Sequence, residues 1–99
     1  MKNATNRLLD RVAAKIGKTS DYALAKAFDA PQQRISNYRH ERTQMDDAVA
    51  VQAANLLGED PALILAELHA DRCKSMEARK HWYRIAKMLK AEAGQRAAA

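Results

Sequence analysis

Apolar residues recur along this chain at helical spacing. Between Thr5 and Ile16, the positions Leu8, Leu9, Val12, Ala13 and Ile16 repeat in four-residue steps, with Arg7, Asp10, Arg11 and Lys15 opposite, which predicts a first amphipathic helix. Gly17 can take the left-handed conformation that ends it, and Thr19 or Ser20 can cap the next. The second helix is predicted from about Asp21 to Phe28, burying Leu24, Ala25 and Phe28 and exposing Lys26. A methyl group at Ala25 permits close approach where two helices cross steeply across a short connection. Asp29-Ala30-Pro31 is the predicted corner, because Asp tolerates positive φ and Pro has a φ suited to starting a helix.

The third helix is predicted from about Pro31 to His40. At about 100° per residue, Ile35 and Tyr38 share one side, which must be its buried anchor. Gln33, Ser36, Asn37 and His40 then fall on the far side, and Gln32, Arg34 and Arg39 on the flanks. A helix that needs only to pack would place Lys and Glu on such a face, whereas this one places neutral groups that both donate and accept hydrogen bonds.

Glu41 to Met45 reads as a loop, basic at Arg42, after which Asp46 or Asp47 caps a fourth helix running to Leu57. Val49, Ala53 and Leu57 point inward there, and Gly58 is the stop. Asp60-Pro61 combines an N-cap with Pro at the first helical position. A fifth helix follows to near Arg72, with Leu63, Ile64, Leu65 and Leu68 in the core. A sixth is predicted from about Ser75 to Ala93, striped by Ala78, Trp82, Ile85, Ala86 and Leu89, with Lys80, Arg84, Lys87 and Lys90 on its other faces. Gly94 to Ala99 is expected to fray.

At 99 residues, 47% hydrophobic and 5% aromatic, the chain can bury one core, and its abundant Ala favours helix over sheet. An all-α single unit is therefore expected. Its apolar runs are far shorter than a bilayer span, and Met1-Lys2-Asn3 leads into no apolar signal region, so a cytoplasmic location is expected. The net charge of +5 is unevenly spread. Residues 1–45 carry nine Lys or Arg against four acids, residues 46–72 one against six, and residues 73–99 seven against two. A polyanion would prefer the two ends and avoid the middle. An isolated charge run is more simply a solvated face, but the first basic segment coincides with the helix pair.

Leu24-Ala25, the corner at Asp29, Gln32-Gln33, Ile35 and Tyr38, followed by a loop and an apolar helix ending in Leu56-Leu57-Gly58-Glu59-Asp60-Pro61, resembles the helix-turn-helix family of lambdoid phage repressors and Cro proteins (XRE-like) over roughly residues 5 to 70. The resemblance implies a five-helix repressor-like DNA-binding domain in residues 1–72. Residues 73–99 form an added C-terminal amphipathic helix for which the family supplies no model. Two positions depart from the family pattern: Asp29 stands where the corner usually has Gly, and Asp21 where the second helix often begins with a phosphate-contacting Gln.

By this resemblance the third helix lies in the major groove of double-stranded DNA. Side-chain amides suit base edges, since one Gln or Asn can accept from and donate to adenine N7 and N6 at once. Gln32, Gln33 and Asn37, with Ser36 nearby, are the expected base readers, and Arg34, Arg39, Arg42, Lys18 and Lys26 the expected phosphate contacts. His40 either touches the backbone or has no role. The family's usual arrangement is a homodimer on a palindromic operator. Trp82, Ile85 and Leu89 would supply the dimer contact, or fold back to close the chain's own core, or both.

Neither enzyme nor cofactor chemistry is expected. Cys73 is the one cysteine, with no His or acid placed by sequence to activate it, and His69, His81 and Cys73 match no metal-ligand spacing. The leading expectation is a transcriptional regulator, a repressor of phage, prophage or plasmid genes. The alternatives are a protein-interaction adaptor using the C-terminal helix, and an antitoxin that also represses its own operon.

Overall fold

Most of the helices begin behind a short polar side chain that satisfies an open backbone N–H, and two end at a glycine. The computed structural model describes residues 2–98 and, among them, six helices and no strand: α1 (Ala4–Ile16), α2 (Asp21–Ala27), α3 (Gln32–Arg39), α4 (Asp47–Leu57), α5 (Pro61–Arg72) and α6 (Met76–Ala98). Met1 and Ala99 lie outside the described residues. Asn3, Ser20, Asp46 and Asp60 each accept a hydrogen bond from a backbone N–H of the first turn they precede. Gly17 at φ 75° and Gly58 at φ 69° close α1 and α4 in the left-handed conformation.

Two boundaries differ from expectation, the start of α3 and the end of α6. Pro31 sits outside α3 at ψ 143°, as an N-cap with no side chain to accept a bond; only its carbonyl receives the Arg34 N–H, at 3.0 Å. Leu57, the last residue of α4, packs against the core from its edge, inward as expected. Helix α6 continues through Gly94 to Ala98, because the Ala-rich stretch favours helix and Gly94 is tolerated within it.

The main core joins α1, α2, α3, α4 and α5. Leu9, Val12, Leu24, Ile35, Met45, Ala50, Ala53 and Ala54 are fully buried in it, with Phe28 and Ile64 almost so. Each such Leu, Ile, Val, Met or Phe side chain contributes about 1.5–3 kcal/mol relative to exposure, and each alanine less. Met45, a linker residue, enters this core. Its N–H donates to Thr5 Oγ1 at 3.2 Å and its carbonyl accepts from Arg72 Nη1 at 3.0 Å. The segment after α3 is thereby pinned to both α1 and α5.

A second, smaller cluster holds α6. Ala86 packs with Leu63 and Ala66 of α5, and Trp82 and Leu89 close over them. Among the described residues α6 packs on no helix but α5. The Trp82 ring also stacks on His69, with centroids 5.0 Å apart. No helix is long and apolar enough to cross a membrane among the described residues.

Candidate nucleic-acid interface

Helix α3 is held by its back. Ile35 and Tyr38 are buried, and burial, then the nearby Asp46 carboxylate, pushes the Tyr38 phenol above its ordinary pKa, so the ring stays neutral in the core. The corner before α3 keeps Asp29 at φ 51°, and the Ala30 N–H closes on the Ala25 carbonyl at 2.9 Å. Gln52 of α4 donates to the Phe28 carbonyl at 3.1 Å, fixing the corner from below. Ala25 is buried where α2 and α3 approach, as its small side chain allows.

At its C-terminal end α3 is tied to α1 by a buried polar network. Asn6 Nδ2 donates to the Tyr38 carbonyl at 2.8 Å and to Asn3 Oδ1 at 3.0 Å, while its own Oδ1 accepts from Arg39 Nη1 at 3.3 Å. Arg39 Nη1 also meets Asp10 Oδ1 at 2.8 Å, and its Nε lies 3.7 Å from Asp21 of α2. Arg39 therefore faces inward and joins three helices, rather than standing on the outer flank expected of a phosphate contact. The Asp21 carboxylate, where the resembled family often has Gln, is its counter-ion. Hydrogen bonds from Lys2 and then from Arg39 hold the Asp10 carboxyl below its ordinary pKa.

The front of α3 is open. Gln32, Gln33 and Arg34 are exposed, and Ser36 and Asn37 are half-buried. Gln33 Nε2 donates to Asn37 Oδ1 at 3.1 Å, one turn along, and Arg42 Nη1 approaches the same oxygen at 3.5 Å. Three of the expected residues thus form one small cluster. With the Asn37 carbonyl oxygen engaged, its amide hydrogens, the Gln33 carbonyl oxygen and the second Gln33 amide hydrogen remain for an outside partner. His40 Nδ1 donates to the Ser36 carbonyl at 2.9 Å, completing the end of the helix, and lies 3.4 Å from Ser36 Oγ.

The two expected lysines meet on the other side. Lys18 and Lys26 line one hollow with Ser20 and Tyr22, and a neighbouring groove runs past Tyr22, Lys26 and Ala30 to Gln32. Tyr22, 65% exposed, is not among the residues that the sequence singles out. Here its phenol stands between the basic hollow and the first residue of α3. Cations thus flank α3, with Lys18 and Lys26 before it and Arg42 after it.

Trp82, Ile85 and Leu89 do not act together. Trp82 and Leu89 lie against α5, whereas Ile85 is 43% exposed. Of the histidines, His69 is 3.1 Å from Asp47 and His81 is 3.4 Å from Glu77, so the two face separate carboxylates. No family model, no curated protein and no solved structure matches this chain.

Proposed function

We propose that this protein is a sequence-specific regulator that binds double-stranded DNA, reading the major groove with α3. In this reading α1 to α5 are the five-helix repressor-like domain, α2 and α3 its helix-turn-helix, and the protein works in the cytoplasm as a repressor of phage, prophage or plasmid genes. The observation that carries it is the outward amide pair, Gln33 and Asn37, joined at 3.1 Å on the open side of a helix whose other side is buried. Helix α6 packs on α5 and leaves that side uncovered.

The chemistry follows from what the cluster offers. Gln33 presents an acceptor and a donor, the combination that meets adenine N6 and N7, and Asn37 offers amide hydrogens to acceptors such as guanine O6 or N7 or thymine O4. Gln32 and Ser36 border this surface. Arg34, Arg42, Lys18 and Lys26 neutralise phosphates on either side, and the Tyr22 hydroxyl can donate to another. Arg39 positions α3 through Asp10, Asp21 and Asn6 and is not counted among the phosphate contacts. A homodimer would read a palindrome with half-sites about 10 base pairs apart.

Selection of bound duplexes from a random pool tests this reading. A recurrent half-site, repeated as a palindrome, is the expected product. Binding that enriches no sequence, or no binding at moderate salt, would overturn it.

A further inference from the structure

Helix α6 carries an exposed apolar strip that is separate from the face it turns to α5. Trp82, Ala86 and Leu89 are taken up by the small cluster, yet Ile85 remains 43% exposed and Met88 61% exposed. At about 100° per residue, His81, Ile85, Met88 and Glu92 fall within roughly 60° of one another, along the flank beside Leu89. All four are exposed.

We propose that this strip is the contact between two copies of the chain, with the α6 helices antiparallel. The strip reads imidazole, aliphatic, thioether, carboxylate, and it is self-complementary when reversed. About a two-fold axis between residues 86 and 87, Ile85 faces Met88 of the partner subunit, and His81 faces Glu92 of the partner subunit. A two-fold contact is made twice over, each residue meeting its counterpart once in each direction. The imidazole has an N–H to donate to a carboxylate in either protonation state. Among the described residues of the single chain, His81 meets Glu77, 3.4 Å away. The opposite flank of α6 also exposes apolar groups, Met76 and Tyr83, but Lys80, Lys87 and Lys90 surround them. Two such flanks would repel each other, so charge selects the first.

Two faces of this size lie at the low end of specific interfaces, below about 1,200 Å² in total. The dimer is accordingly weak and concentration-dependent when free of DNA. This contact gives the proposed DNA-reading function its partner subunit, and it is measured without DNA, so failure of the one and failure of the other are told apart.

Sedimentation of the full chain over a concentration series is the test. The unaltered protein should move from monomer to dimer, and Ile85→Asp should weaken association at least about tenfold. Because Ile85 is exposed, that change leaves the fold intact, which circular dichroism verifies. Glu92→Lys should weaken association several-fold, and adding His81→Glu to it should restore association by setting a carboxylate against the new ammonium. A chain that stays monomeric throughout, a dimer indifferent to Ile85→Asp, or a double variant no better than Glu92→Lys alone would each overturn the assignment.

Discussion

Asn6 Nδ2 donates to the Tyr38 carbonyl across a separation of 2.8 Å, linking the first helix to the end of the helix proposed to read DNA. Asn6 is 5% exposed and its amide also engages Asn3 and Arg39, so its removal leaves polar groups without their buried partner. Asn6→Ala should lower stability by about 1–3 kcal/mol in chemical denaturation. A loss within error of zero would show that the network contributes nothing.

The same network makes stability depend on acid. The folded-state pKa of Asp10 lies below its unfolded value, chiefly through Lys2 and then Arg39. The stabilisation is therefore present above the unfolded carboxylate value, near pH 3.9, and is lost as pH falls through the folded one. Asp10→Asn should lower stability at neutral pH and flatten the decline below about pH 4. Its side chain is 39% exposed, so the effect should shrink in salt. An acid limb as steep in Asp10→Asn as in the unaltered chain would contradict this.

The helices were legible because their ends were. Ser20, Asp46, Asp60, Gly17 and Gly58 act through their immediate neighbours, and local chemistry is what a sequence displays, although the Asn3 cap of α1 was not among the signals read. What was missed depends on distant partners. Met45 looked like loop, but three-dimensional packing drives it into the core beside Thr5 and Arg72. Arg39 looked like a phosphate contact because its counter-ions lie 29 and 18 positions away, on α1 and α2. The tail stripe was seen as one surface, yet α5 takes Trp82 and Leu89 and leaves Ile85 outside.

Because α6, among the described residues, packs on no helix but α5, its docking should be separable from the rest of the fold. Trp82→Ala removes the ring stacked on His69 and should loosen α6 by about 1–3 kcal/mol, less than for a fully buried Trp. Amide hydrogen exchange should quicken in α6 while α1 and α4 keep their protection. Equal loss of protection in all helices would mean that α6 is part of one cooperative core.

Phosphate contacts should reveal themselves through salt. Arg34→Ala and Arg42→Ala should each weaken binding to selected and random duplexes alike and lower the slope of log affinity against log salt by about one. Arg39→Ala, by contrast, should act first on stability, because its guanidinium is held by Asp10 and Asp21. A full unit lost from the salt slope in a well-folded Arg39→Ala protein would return that residue to the phosphate contacts.

The most direct measurement is the affinity of Gln33→Ala for a selected duplex and for a random one, under the same salt. If the Gln33–Asn37 face reads bases, the preference for the selected duplex should shrink by about 1–3 kcal/mol while random binding barely changes. Equal losses on both duplexes, or none on either, would contradict base reading by this face.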